Sequence, residues 1–100
     1  MVVDKEKICD YLKSINMDLN RIYNIEKIGL IGSFARNEAS EKSDIDIVYI
    51  LKENQKLSYF KLYRLEKMLE KHFSRKIELI NYKYINPIIK YKSDKDIIYV

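Results

Sequence analysis

Two carboxylates in the middle of the sequence have a spacing that suits metal chemistry. Asp44 and Asp46 are two residues apart in an apolar run, and in a β-strand that spacing directs both side chains to the same face. Neighbouring carboxylates repel each other unless a cation lies between them, and carboxylate oxygens are ligands that Mg²⁺ prefers. The pair therefore indicates a candidate magnesium site.

Gly32 and Ser33 directly follow an apolar segment, at the point where a strand is expected to end and a helix to begin. Free backbone N–H groups, a small hydroxyl and the positive end of a helix dipole together suit a phosphate. A phosphate-binding turn beside a metal-binding pair describes a nucleoside triphosphate bound as its magnesium complex, and Glu78 offers a third carboxylate. These residues indicate phosphoryl or nucleotidyl transfer.

Hydrophobic periodicity predicts the elements that position these residues. We expect strands over 25–31, 44–51 and 75–80 and a short last strand over 97–100, with Glu78 directed away from the face that carries Ile77 and Leu79. We expect helices from the N-cap Asp4 to near Met17, briefly within 33–42, along the apolar positions between Leu57 and Phe73, and after the cap Asn86 with Pro87 at the first helical position. Residues 18–24 read as a polar connector.

The composition is that of one globular domain spanning residues 1–100. Nearly half of the 100 residues are apolar, and the net charge of +4 is a mild preference for anionic partners. Cys9 is the single cysteine, which excludes an internal disulfide. No apolar run approaches the roughly 20 residues of a membrane-spanning helix. We expect a cytoplasmic protein with no membrane partner.

The central motif resembles that of a known family. Gly32-Ser33, ten intervening residues and Asp44-Ile45-Asp46 resemble the signature of the DNA polymerase beta nucleotidyltransferase superfamily. The runs 32–39 and 43–47 are similar, more narrowly, to the minimal nucleotidyltransferases, which often accompany a HEPN-domain ribonuclease as its antitoxin. The resemblance covers about residues 25–80. It implies an α+β fold with a polymerase beta-like core, in which helices pack largely on one face of a small mixed sheet of three or four strands.

The resemblance also implies roles for individual residues. In that family the Gly-Ser pair contacts the triphosphate, two Asp residues bind two metal ions, and a third carboxylate completes the site and helps to activate the acceptor hydroxyl. Carried over, Gly32 and Ser33 bind ATP, whereas Asp44, Asp46 and Glu78 are the catalytic residues and hold two Mg²⁺ ions.

Two positions depart from the family pattern. Asn37 stands where the family commonly has Gly, and Asn is one of the few residues that tolerate a left-handed backbone. Glu78 stands where the family commonly has Asp, and its side chain is one methylene longer. The second departure bears on the metal geometry, because Mg²⁺ enforces its coordination strictly.

For the reaction, the resemblance implies transfer of AMP from ATP to a hydroxyl, with a tyrosine of a HEPN-type toxin as the acceptor. The alternative is a binding antitoxin that masks its toxin and carries a vestigial nucleotide site. We expect no nucleic-acid partner, because the tyrosines are spread along the chain and several have the spacing of core residues.

Two further features stay open between a functional and a structural interpretation. Arg36 either contacts the phosphates of the nucleotide or forms a surface ion pair with Glu38. A group of tyrosines and lysines near the C-terminus would suit a protein partner as a basic, aromatic surface. Its members are Tyr82, Lys83, Tyr84, Lys90, Tyr91 and Lys92.

Overall fold

A computed structural model of the protein describes residues 2–100. These residues form five helices, four strands and a 3-10 turn. They are, in order, α1 (Lys5–Ser14), α2 (Asn16–Tyr23), β1 (Ile25–Ile31), α3 (Gly32–Ala35), β2 (Ile45–Leu51), α4 (Tyr59–Phe73), β3 (Ile77–Asn81), the 3-10 turn (Tyr82–Tyr84), α5 (Pro87–Ser93) and β4 (Ile98–Tyr99). Within residues 2–100, no helix has the length and apolarity needed to cross a membrane.

The N-terminal region contains two helices where the sequence predicted one. Asp4 caps α1 as predicted, because its side chain accepts a hydrogen bond from the backbone N–H of Lys7 at 2.9 Å. The predicted polar connector over 18–24 is wrong, since α2 occupies most of it. Leu19 is fully buried and draws this polar segment onto the core, and Asn24 ends the helix with a left-handed backbone at φ 57°.

The four strands form one mixed sheet in the order β3-β2-β1-β4, which confirms the predicted α+β fold. β1 is antiparallel to both β2 and β4, whereas β2 and β3 run parallel. In this register Asp46 stands opposite Ile31 on one side and Glu78 on the other. The sheet therefore brings the end of β1 and the beginnings of β2 and β3 to one place.

The hydrophobic core lies on one face of this sheet, under α1, α2 and α4. Ile45, Ile47 and Ile77 point into it and are almost completely buried. Because side chains alternate along a strand, Asp46 and Glu78 lie on the opposite face. The predicted orientation of Glu78, away from Ile77 and Leu79, agrees with this arrangement.

Helix α4 supplies much of the core, although its apolar face is narrower than the sequence predicted. Leu65, Leu69 and Phe73 are buried, but Phe60 is 68% exposed. The helix begins at Tyr59 because the side chain of Ser58 caps it, accepting a hydrogen bond from the N–H of Lys61 at 3.2 Å. Aromatic residues at its N-terminal end thus lie on the surface.

The C-terminal segment follows the prediction closely. Asn86 caps α5 through a 2.8 Å hydrogen bond from the N–H of Ile88, and Pro87 is the first helical residue. The last strand, β4, pairs with the outer edge of β1, so that Tyr99 stands opposite Gly29. The segment therefore extends from β3 at one edge of the sheet to β1 near the other.

Candidate functional site

Gly32 forms the turn between β1 and α3. Its backbone has φ +78°, a left-handed conformation that side chains rarely adopt, and a Cβ atom built at this position would lie 2.5 Å from Oδ2 of Asp46. Glycine is therefore required both by the backbone conformation and by the space that the Asp46 carboxyl occupies. The Gly-Ser turn and the second acid of the motif are in direct contact.

Ser33 lies in the first turn of α3, next to this glycine. The first four N–H groups of a helix have no partner within the helix, so the backbone of this turn offers donors to an anion. The short helix ends at Ala35, and Asn37 follows it with a left-handed backbone at φ 58°. The prediction that asparagine replaces the family glycine without loss of this conformation agrees with that angle.

Asp46 and Glu78 face each other across the parallel pair of strands. The pKa of Asp46 is raised to about 6, first by burial and then by the charge of Glu78, a hydrogen bond with Glu78 and the charge of Asp44, while the charge of Arg36 lowers it. The Asp46 carboxyl is only partly exposed, whereas Glu78 is exposed. Two carboxyl groups in contact are an arrangement that either a shared proton or a cation stabilises.

Asp44 is placed differently from the prediction. The strand begins at Ile45, whose N–H bonds to the carbonyl of Lys76 at 2.9 Å, so Asp44 lies just before the ladder and is exposed. Its charge reaches Asp46. Within residues 2–100, however, no three His, Cys, Asp or Glu side chains lie close enough to form a ready-made metal site. The structure thus brings two of the three predicted ligands together and leaves Asp44 beside them.

The residues present fit a magnesium ion in their chemistry. Three carboxylates supply the hard oxygen ligands that the ion prefers, and the contact between Asp46 and Glu78 is one that a cation would relieve. The assignment of Asp44, Asp46 and Glu78 as metal ligands stays a prediction on these grounds.

Arg36 takes the second of the two interpretations offered by the sequence. Its Nε donates a hydrogen bond to Oε2 of Glu38 at 3.0 Å, forming an ion pair on the surface. Its charge still acts on Asp46, whose pKa it lowers. The pair uses Nε of Arg36, and a contact between the guanidinium and a phosphate stays a prediction.

Arg75 is a positioning residue that the sequence analysis missed. Its Nη1 donates to the carbonyls of Ser40, Glu41 and Ser43 at 3.0, 3.1 and 2.8 Å. Its guanidinium also lies over the ring of the buried Phe34 in α3, 5.1 Å from the centroid. One side chain thus joins the Gly-Ser helix to the loop that leads into Asp44. The prediction placed Arg75 at the start of a strand, and nothing local in the sequence pairs it with a loop more than 30 residues away.

We expect Gly32→Ala to lower the free energy of unfolding by about 1–3 kcal/mol, because alanine is strained at this φ and its Cβ displaces the Asp46 carboxyl. Urea denaturation measures the loss. In an Asp46→Ala background the same substitution should cost less, since only the backbone strain remains. An equal cost in both backgrounds would show that the carboxyl does not occupy this space.

The raised pKa of Asp46 predicts a pH-dependent stability in the metal-free protein. Because the folded-state pKa of about 6 exceeds the reference value of 3.8, the stability that the protonated carboxyl contributes is complete below that reference and is lost as pH rises through about 6. Asp46→Asn should therefore stabilise the protein at pH 7.5 by about 1–2 kcal/mol, a value reduced for solvent screening at a half-buried group. The gain should vanish below about pH 4.

Urea denaturation in EDTA, repeated from pH 4 to pH 8, measures this difference. Asp10→Asn, which removes an exposed carboxylate from α1, is the control for the loss of one formal charge. An Asp46→Asn protein with wild-type stability at every pH would contradict the raised pKa.

Comparison with known proteins agrees with this geometry. A family model described as "Nucleotidyltransferase domain" matches residues 9–100. A "Putative protein adenylyltransferase" of Methanocaldococcus jannaschii is 38% identical over 95 residues, which cover 94% of this chain and 95% of the relative. A "putative minimal nucleotidyltransferase" has the same fold with a TM-score of 0.74 at 21% identity, over 96% of this chain and 95% of that one. A structure of a tri-AMPylated Shewanella oneidensis HEPN toxin in complex with MNT antitoxin contains a chain that matches with a TM-score of 0.67 at 14% identity, over 95% of this chain and 70% of that one. The protein described here therefore belongs to the nucleotidyltransferase domain family.

Proposed function

We propose that this protein is a magnesium-dependent adenylyltransferase that transfers AMP from ATP to a tyrosine hydroxyl of a HEPN-domain partner and so acts as its antitoxin. The observation that carries the proposal is the contact between the Asp46 and Glu78 carboxyls, directly beside the Gly32 turn. The name of the Methanocaldococcus relative, a protein adenylyltransferase, supports the type of reaction. The tri-AMPylated HEPN toxin in the Shewanella complex supports the type of acceptor.

The proposed nucleotide site has two parts. The backbone N–H groups and hydroxyl at Gly32 and Ser33 would hold the phosphates of ATP, and Asp44, Asp46 and Glu78 would hold magnesium. When bound, magnesium neutralises the charge of the triphosphate and lowers the pKa of an oxygen that it contacts. Asp46 is the fixed member of the set, because the sheet holds its backbone on both sides.

The exposed Glu78 suits a role in the chemical step. In the transfer, the acceptor oxygen forms a bond to the α-phosphorus of ATP, the bond from that phosphorus to the pyrophosphate oxygen breaks, and the hydroxyl gives up its proton. The Glu78 carboxylate lies open to solvent beside Asp46 and would accept that proton. Its exposure leaves room for an acceptor carried by another macromolecule.

The position of a surface cavity also favours a protein acceptor. A cavity of about 820 Å³ lies at the other end of β2, between Ile50–Leu57 and Asn81–Tyr84. The distance from Asp46 to Ile50 is four steps along the strand, or about 13 Å. A small acceptor held in that cavity would not reach the carboxylates, so we propose an acceptor that brings its own binding surface.

The first test is transfer of label from α-labelled ATP with Mg²⁺ to the protein encoded beside the gene of this protein, as the proposed HEPN-domain partner. We expect the wild type to label that partner and the Asp44→Ala, Asp46→Ala double variant to label it at least about a hundredfold more slowly, since losing ligands exceeds the 10–100-fold effect of outer-shell changes. Replacing the exposed Asp10 and Asp18 by alanine is the charge-matched control.

The same experiment separates catalysis from masking. A double variant that binds the partner but no longer protects cells from it supports catalysis. Equal protection by the wild type and the double variant, without label on the partner, would make this protein a binding antitoxin with a vestigial site.

A second prediction concerns Arg75. Arg75→Lys keeps the charge but loses the planar guanidinium, whose Nη1 bonds three loop carbonyls and whose carbon lies over the Phe34 ring, so the loop before Asp44 should loosen. We expect transfer to slow by about 10–100-fold through kcat, with the far-UV circular dichroism unchanged. Arg64→Lys, which alters an exposed arginine over the Phe60 ring on α4, is the matched control. A wild-type rate for Arg75→Lys would show that the loop does not depend on the guanidinium.

A further inference from the structure

The helix α5 exposes nearly all of its surface. Among its seven residues only Ser93 is buried, while Ile88 is 68% exposed and Tyr91 is 70% exposed. Ile89 and the preceding Tyr84 are exposed as well. We call the exposed residues Tyr84, Ile88, Ile89, Lys90, Tyr91 and Lys92 the C-terminal surface.

The weak packing of α5 sets it apart from the other helices. A helix of seven residues is not stable by itself in water, so it depends on tertiary contacts or on a partner. Here it is held mainly at its ends, by the Asn86 cap and by a 2.8 Å hydrogen bond from the Tyr82 hydroxyl to Oδ1 of Asp94. Two neighbouring isoleucines on such a helix are more than the scattered apolar residues of an ordinary surface.

The charge of this region favours an acidic partner. Between residues 82 and 96 there are four lysines and two aspartates. One of the aspartates, Asp94, accepts a hydrogen bond from the Tyr82 hydroxyl. Three of these lysines lie over tyrosine rings: Lys83 over Tyr84, Lys90 over Tyr82 and Lys95 over Tyr91, at 4.9–5.6 Å from the ring centroids. The exposed isoleucines favour a protein over a nucleic acid, because an apolar side chain finds no partner on a phosphate backbone.

The C-terminal segment also reaches the face of the sheet that carries the carboxylates. The Tyr99 ring lies 3.1 Å from the position of a Cβ on Gly29, and by alternation that position is on the same face as Ile31 and its partner Asp46. Glu78 and Ile80 share this face on β3, which leads directly into the 3-10 turn before α5. The C-terminal segment that contains α5 therefore begins after one strand of this face and ends, at Tyr99, on the face where transfer is proposed to occur.

We propose that the C-terminal surface is the docking site of the acceptor protein, and that the partner presents an apolar pocket for Ile88 and Tyr91 with acidic residues around it. The proposal rests on the proposed function and adds the place at which the acceptor binds. Docking there supplies the binding energy that brings the acceptor hydroxyl to Glu78.

The test combines Ile88→Asp with Lys92→Glu and uses the product of the neighbouring gene, as the proposed HEPN-domain partner, for the probe. We expect calorimetry to show at least about tenfold weaker binding, because the variant replaces an apolar anchor by a charged residue and reverses the charge of a lysine. Transfer of label should fall at low partner concentration and recover when the partner saturates, a change in KM and not in kcat. Tyr91→Ser, a milder variant, should show a smaller shift in the same direction.

The matched control is Ile22→Asp with Lys71→Glu, which makes the same chemical changes at exposed positions on α2 and α4. It should bind and label the partner like the wild type. Wild-type binding by the C-terminal variants, or equal losses in the control, would overturn the docking site. So would a wild type that does not bind the probe at all.

Other occupants give different results. Loss of a wild-type dimer in the C-terminal variants, seen by light scattering, would assign the surface to a second copy of this chain and overturn the proposal. Loss of binding to a fluorescent oligouridine, with partner binding intact, would assign it to RNA and overturn it as well. A wild type that binds the partner without labelling it would sink the proposed function alone.

Discussion

The parallel pairing of β2 with β3 brings two carboxyl groups together, and much of the site depends on this contact. Asp46 and Glu78 stand opposite each other in the register, and burial together with the neighbouring negative charge raises the pKa of Asp46 to about 6. Such a contact is unfavourable between two ionised groups unless a cation or a proton joins them. The rigid sheet maintains it, because the core residues on the other face, among them Ile45 and Ile77, fix the register through their burial. The core thus holds in place an arrangement that side chains alone would avoid.

Two further features keep this pair in a working position. The missing side chain of Gly32 leaves the space into which the Asp46 carboxyl extends, so the turn that offers N–H groups to a phosphate and the proposed metal ligand are adjacent by steric necessity. Arg75 fixes the other side, because it bonds three carbonyls of the loop before Asp44 and packs on Phe34. The loop and the Gly-Ser helix therefore cannot move independently. The arrangement is that of a preorganised site in which one proposed ligand, Asp44, is exposed.

Period and spacing in the sequence predicted the features that depend on local rules. Strand alternation correctly directed Glu78 away from Ile77, the Asp4 and Asn86 caps were found from residue type, and the left-handed Asn37 agrees with the tolerance expected of asparagine. The predictions that were wrong concern features that depend on tertiary contacts. Leu19 is buried and draws a polar segment into the helix α2, and the first residue of β2 is set by the bond of Ile45 to Lys76, which lies just before β3. The role of Arg75 could not be predicted from the sequence, because it depends on which strands lie side by side in the sheet.

The longer side chain at position 78 still places its carboxyl beside Asp46, and its effect on metal geometry stays a prediction. An additional methylene was expected to disturb the geometry of a metal site, yet the Glu78 carboxyl still contacts Asp46. The two acids differ instead in exposure, since Asp46 is partly covered and Glu78 is open. A covered carboxylate with a fixed backbone suits the holding of an ion, and an open one on a longer side chain suits the approach of an acceptor from solution. The difference in length therefore favours a division of roles between the two acids over a loss of the site.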